Sequence, residues 1–303
     1  MALALADALG FDIVLQPRRR VETNPDTAGT SARATSAAFA LPECEENKPC
    51  LLYTSKRSYR ILKSTNALPA VCGRVCPQET QCECTCVVGT KLKPVSIGRL
   101  ERFVADIAMG RGWEETPEAP AATQKTAAII GSGPSGLACA GELARHGVKV
   151  TVFEALHVAG GVLKYGIPEF RLPDIIIDAE IENLKKMGVD IRLDSIIGKL
   201  FTIPQLLTGQ GFDTAFVGTG AGSPKFAEIP GEAFNGVFSA NEFLTRVNLM
   251  RGYRQPIYDT PVGMGKRVAV VGAGNTAMDA CRVALRMGAE QVTCCLLYTS
   301  RCV

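Results

Sequence analysis

Histidine and tryptophan are nearly missing from this sequence, which has two histidines, His146 and His157, and one tryptophan in 303 residues. Both histidines read as surface or packing residues rather than catalysts. Charge of one sign is also missing. The 33 Lys and Arg against 30 Asp and Glu leave a formal +3, so neither nucleic acid nor an anionic membrane is indicated as a partner. No run approaches the eighteen or so consecutive apolar residues of a membrane span, which argues against a membrane partner. A secretion signal is absent too. The first twenty residues carry their basic cluster after the apolar part, and Asp7 and Asp12 interrupt them. A cytoplasmic location is therefore expected.

Cysteine is plentiful by contrast. Seven of the twelve cysteines lie between Cys44 and Cys86. Close-spaced cysteines in a chain expected in a reducing compartment point to metal or cluster ligands rather than disulfides. With 47% hydrophobic residues and this length, about two domains with buried cores are expected.

The chain is organised around Thr126 to Glu154, TAAIIGSGPSGLACAGELARHGVKVTVFE. A short apolar run, Ala127 to Ile130, leads into the turn Gly131-Ser132-Gly133-Pro134-Ser135-Gly136. An Ala/Leu-rich helical pattern and a second apolar run, Val148 to Phe153, follow. Gly131 permits the tight turn, Gly133 lets backbone approach a pyrophosphate, and Gly136 lets helix and strand pack closely. The free N–H groups and positive end of the helix then face the phosphates. Glu154 falls where an acid accepts ribose hydroxyls. Gly265 to Thr293 repeats the plan, with the strand Val268 to Val271 and the turn Gly272-Ala273-Gly274-Asn275-Thr276-Ala277. There Gly272, Gly274 and Ala277 would cradle a second pyrophosphate, with Asn275 and Thr276 as hydrogen-bonding groups. One unit can hold a flavin dinucleotide and the other a nicotinamide dinucleotide, so that a hydride passes between them.

The remaining stretches divide by composition. Residues 1–43 read as a poorly ordered leader, and 44–112 as a small helical domain holding cluster ligands. In the latter, Ile97, Leu100, Phe103, Val104 and Ile107 fit one face of a helix. Residues 113–126 read as an exposed linker, 127–264 as the flavin-binding domain, and 265–294 as the start of the nicotinamide-binding domain. The hexapeptide Cys-Leu-Leu-Tyr-Thr-Ser occurs at 50–55 and again at 295–300, in unrelated contexts. It reads as foreign sequence, making 295–303 an artefactual tail on a truncated chain.

Longer strings carry a family resemblance: STNALPAVCGRVCPQETQCECTC (64–86), IGRLERFVAD (97–106), GGVLKYGIPEFRLP (160–173), FVGTGAG (216–222), NGVFSANEFLTRVNLM (235–250) and VVGAGNTAMDACR (270–282). From Lys63 to Thr293 the chain resembles the small subunit of NADPH-dependent glutamate synthase. That grouping includes the ferredoxin:NADP oxidoreductase large-subunit branch and is related to the N-terminal half of dihydropyrimidine dehydrogenase. The resemblance implies an α/β fold: a small α-helical iron–sulfur domain followed by two Rossmann-like FAD/NAD(P)-binding units. It implies FAD, NADP (or NAD) and [4Fe–4S] clusters as cofactors. The implied partner is a large glutamate synthase-type subunit, or a ferredoxin or flavin partner subunit.

By that resemblance Gly131, Gly133, Pro134, Ser135, Gly136 and Glu154 hold the ADP part of FAD. Gly161, Leu163, Tyr165, Gly166, Ile167 and Pro168 approach the flavin ring, and Gly218, Thr219 and Gly220 close over the dinucleotide. Cys76 and Cys82 are placed as ligands of one cluster and Cys86 of the other, with Glu101 where a non-cysteine ligand is used and Cys72 as packing. The family's upstream run of four cysteines is represented only by Cys44 and Cys50. Cys84 stands in a glycine position, and zinc capture by these cysteines is the alternative. Hydride transfer from nicotinamide to flavin needs stacking and exclusion of water rather than an acid or base, so no catalytic side chain is expected. A flavoprotein oxidoreductase subunit is the leading reading. A bifurcating ferredoxin:NADP oxidoreductase subunit, or a non-catalytic nucleotide- or zinc-binding fragment, are the others.

Overall fold

The computed structural model describes residues 2–3, 56–113, 122–224 and 228–296. Cys44, Cys50 and the first copy of the hexapeptide lie outside them, as does most of the second.

Two parallel four-stranded sheets carry the α/β part. The first is built from β2 (Thr126–Ile130), β3 (Lys149–Phe153), β4 (Asp190–Arg192) and β5 (Thr214–Val217), in the order β4-β3-β2-β5. In register, Ile129 faces Val152 on one side and Phe216 on the other. Successive side chains of a strand point to opposite faces, and both faces of the two central strands, β2 and β3, are covered. Ile129, Val150 and Val152 join a core with Leu137 of α4 (Pro134–Arg145) and Ile177, Ile181 and Leu184 of α6 (Asp174–Lys186). Ala128, Ile130 and Phe153 pack on the opposite face with Leu206 of α7 (Ile203–Thr208). This explains why the strands read as continuous apolar runs rather than alternating ones.

The second sheet has the order β6-β1-β7-β8, from β6 (Phe238–Ser239), β1 (Ala2–Leu3), β7 (Arg267–Val271) and β8 (Gln291–Cys295). Ala2 and Leu3 pair in parallel with Phe238 and Ser239, and Ala2 also with Val270. Two residues of the stretch read as a poorly ordered leader are thus placed in a strand. The core here combines Val268 and Val270 with Ala277, Ala280, Val283 and Ala284 of α9 (Asn275–Arg286) and with Ala240, Phe243, Leu244 and Val247 of α8 (Ala240–Asn248). Residues 238–248 therefore pack with the second unit, although the sequence places its start at 265. The motif begins there, but the helix covering its sheet lies upstream, and no local pattern shows which sheet that helix covers.

A small helical part precedes these sheets, with α1 (Lys56–Thr65), α2 (Pro69–Val75) and α3 (Ile97–Gly110). The helix expected at 97–107 is present, but its buried residues are Gly98, Val104, Ala105 and Ala108, while Ile97 and Phe103 are exposed. The reason is close helix packing. A Cβ at Gly73 of α2 would come within 2.6 Å of the Arg102 backbone, so small residues rather than large apolar ones face the contact. Leu68 and Val71 insert into the core of the first sheet. On α6, Glu180 is buried, pairs with Lys63 at 2.7 Å and accepts a hydrogen bond from the Ala70 N–H at the start of α2. The helical part is thereby docked on the first sheet by apolar contacts and one buried carboxylate.

Candidate functional site

The turn after β2 leads directly into the site. Gly131 has φ +100°, and a Cβ there would lie 2.4 Å from the Gly218 carbonyl, so only glycine fits between the two loops. Gly136 sits against the Gly131 carbonyl, where a Cβ would approach to 2.0 Å. Gly133 differs from both, because a Cβ there meets open space. Gly133 is also the N-cap of α4 and makes no side-chain cap. The first N–H groups of this twelve-residue helix are therefore left to bind a ligand or water.

The open space is a cavity of about 640 Å³, within the roughly 300–1,000 Å³ range of small-molecule sites. It brings together Gly131, Gly133, Pro134, Ser135, Glu154, Gly161, Tyr165, Gly218, Thr219 and Gly220 of the first unit with Thr276 of the second. Glu154 is buried, and one carboxylate oxygen accepts hydrogen bonds from the Ser132 N–H at 2.9 Å and from the Ser132 hydroxyl. Its other oxygen accepts from the Leu156 N–H. The Ser132 hydroxyl in turn accepts from the Gly160 N–H at 2.8 Å. One serine thus joins the glycine turn, the acid and the loop that begins at Gly160. That loop lies on the turn, since a Cβ at Gly161 (φ +54°) would come 2.7 Å from the Gly133 Cα. Burial, with the Glu154 charge beside it, pushes the Tyr165 phenol above its ordinary pKa.

Other expected residues stand elsewhere. Leu163 is in the core of the first unit and Pro168 is fully buried. Ile167 packs against that core, and Gly166 lies against Val162. These four, expected to approach the flavin, are thus not among the residues that line the cavity. The short helix α5 (Val162–Tyr165) turns its apolar side inward, and of the residues expected to approach the flavin from this loop only Gly161 and Tyr165 line the cavity. Gly272, Gly274 and Asn275 do not line it either. Ala277, on α9, is completely buried in the core of the second unit. The second turn keeps the same geometry, with Gly272 at φ +118° and Gly274 an N-cap without side-chain capping. Sequence reasoning missed Ser195, Ile196 and Ile197 after β4, and Ser239, Ala240 and Asn241 at the start of α8. None lies in a glycine motif. The string 235–250 carries part of the family resemblance, but nothing local in it shows that 239–241 line the cavity.

In the cysteine-rich part Cys76 caps α2, and its thiol is pushed up by burial and then by the charges of Cys82 and Glu101. Burial also raises Glu101, opposed by hydrogen bonds from Asn66 and Gln78. Cys86 is lowered by backbone hydrogen bonds, chiefly at Val95 and Val88. Cys72 bonds Asn66 and is raised by burial. Cys76, Cys82 and Glu101 are thus neighbours in charge. Among the described residues, however, no three His, Cys, Asp or Glu side chains are arranged to hold a metal. No described helix is long and apolar enough to cross a membrane.

Comparison with known proteins adds to this geometry. Residues 52–113 match the family described as dihydropyrimidine dehydrogenase domain II, 4Fe-4S cluster, and residues 125–299 match the pyridine nucleotide-disulphide oxidoreductase family. The glutamate synthase [NADPH] small chain of Halomonas elongata is 40% identical over 231 residues, covering 76% of this chain and 48% of its own length. Its counterpart in Escherichia coli is 39% identical over 232 residues, covering 76% and 49%. The NADP(+)-dependent formate dehydrogenase subunit beta of Moorella thermoacetica is 39% identical over 260 residues, covering 78% and 35%. The chain spans about half the length of the glutamate synthase small chains it matches.

Proposed function

This chain belongs to the pyridine nucleotide-disulphide oxidoreductase family, and from that premise we propose that it binds FAD at the first glycine turn and NADPH at the second, and passes electrons onward as a subunit of a larger enzyme. The observation that carries the proposal is the cavity shared between the Gly133 turn and Thr276. A Cβ at Gly133 would intrude into it, and its one carboxylate, Glu154, stands at the end of β3. The residues fit FAD. Backbone N–H groups at the start of α4 would take the pyrophosphate, and Glu154, held by Ser132, would take the ribose hydroxyls.

Bound FAD would accept a hydride from the nicotinamide and release single electrons. The protein's own part is arrangement. Gly161 and Tyr165 of the first unit and Thr276 with Ser239 to Asn241 line the cavity together, so residues from both units would orient the reacting groups. No acid or base is required at the cavity. NADP rather than NAD is supported by the names of the relatives.

For the cluster part, Cys76, Cys82, Cys86 and Glu101 are the described ligand candidates, with Cys44 and Cys50 outside the described residues. The partner is proposed to be a large subunit of the glutamate synthase type. A formate dehydrogenase subunit at nearly the same identity favours a second reading, in which the same electron carrier serves a different partner. Reconstitution decides between them: glutamate formation from glutamine and 2-oxoglutarate with a large subunit supports the first reading. Reduction of ferredoxin or another carrier protein without glutamate formation supports the second. Purified full-length chain without flavin absorption would refute both.

A further inference from the structure

The segment Phe170-Arg171 has no part in the site so far described, yet it is where the two units meet. Phe170 comes from the loop of the first unit but packs against the core of the second. The guanidinium groups of Arg282 and Arg286 on α9 lie 4.2 and 4.0 Å from its ring centroid. Beside it Arg171 forms an ion pair with Asp279, whose side chain is 4% exposed. A third contact runs from the Asn248 amide of α8 to the Tyr165 carbonyl at 3.2 Å.

Both ends of this contact lead to the cavity. Tyr165, six residues before Arg171 on the same loop, lines it from the first unit, and Thr276 lines it from the second. Thr276 and Asp279 are three residues apart on α9 and so share a helix face. A buried ion pair of this kind is weak evidence of stabilisation, because apolar residues of like volume commonly serve as well. Its distinct property is geometric, since a charge-assisted hydrogen bond donated by Arg171 Nη1 to Oδ2 of a carboxylate enclosed by protein fixes where the two side chains meet.

We propose that Arg171 and Asp279, with Phe170 held by Arg282 and Arg286, form a clamp that sets the register of the first unit's loop against α9, and hence the approach of nicotinamide to flavin. They are positioning residues. The proposal rests on the two-dinucleotide reading above, and its test can be separated from that reading.

The test uses the full chain loaded with FAD and compares Asp279→Asn with the double variant Arg171→Met, Asp279→Leu. The double variant replaces the ion pair with an apolar contact, so it should melt close to the parent. A staple that only stabilises would then leave function intact. Expected instead are flavin content within about twofold of the parent, loss of the long-wavelength charge-transfer absorbance on adding NADPH, and single-turnover flavin reduction slower by about tenfold or more, since misplacement by about 1 Å can cost that much. A double variant that keeps the absorbance band, and a rate within about twofold of the parent, overturns the clamp. Should the variants fold poorly, Arg171→Lys preserves the charge but shortens the reach and removes the planar guanidinium that places Nη1 on Asp279. Amide exchange in residues 160–173 and in the first turns of α9 should then rise together, and unchanged exchange overturns the clamp. This last measurement works on flavin-free chain, so it decides the clamp even if the parent proves to bind no dinucleotide.

Discussion

At the scale of single residues, the three glycines of the first turn make different predictions because a Cβ at each meets different surroundings. Gly133→Val should fold with a melting temperature close to the parent and lose flavin, since the added side chain enters the cavity rather than the protein; absorbance of the purified protein checks this. Gly136→Val should instead fail to fold, since even a Cβ would stand 2.0 Å from the Gly131 carbonyl. Ser132→Ala leaves the Gly160 N–H and a Glu154 oxygen short of a buried partner. That should cost about 1–3 kcal/mol, read by denaturant unfolding, and should weaken flavin retention. Asp213 gives a pH prediction. Hydrogen bonds from the Thr126 N–H and hydroxyl, and then Lys125, hold its carboxyl below the ordinary aspartate pKa. A depressed carboxyl binds fewer protons folded than unfolded, so its stabilisation is present above the unfolded value and lost as pH falls through the folded one. The melting difference between parent and Asp213→Asn should be present at pH 7 and vanish in acid.

At the scale of elements, the strand–turn–helix units were legible because each is local. Runs expected at 127–130, 148–153 and 268–271 appear at Thr126–Ile130, Lys149–Phe153 and Arg267–Val271. What local pattern could not give was which face of an element is covered. The buried face of α3 is set by the close approach of Gly73 to Arg102, a contact 29 positions away in sequence. The same holds for α2, whose first N–H, at Ala70, is met by Glu180 from α6. Glu180→Ala should lower stability by about 1.5–3 kcal/mol, the range for hydrogen bonds to a charged group, and should loosen the cysteine-bearing helix first. Proteolysis around residues 66–76 should outpace cleavage in either sheet; equal protection there would refute the docking role.

At the scale of the whole molecule, two sheets with separate cores share one cavity, so ligand binding should couple them. Saturating FAD at 100 times its dissociation constant should add about 2.7 kcal/mol to the stability of the unit that binds it, seen as a higher melting temperature on reconstitution. If NADPH sits in the second unit, adding it should raise protection in β7 and α9 rather than in β2 and β3. Hydrogen exchange distinguishes the two.

The sequence alone determined the fold class and the two dinucleotide turns, because the glycines and flanking strands specify their geometry within about thirty residues. It also indicated Glu154 and the cysteines as polar groups worth following. Only the tertiary structure decided that Leu163 and Pro168 support the cavity from the core while Tyr165 lines it, that residues 238–248 pack with the second unit, and that Arg171 reaches Asp279. Those facts depend on packing between segments separated by up to about a hundred residues, and no local pattern of apolar and polar residues encodes which surfaces will meet.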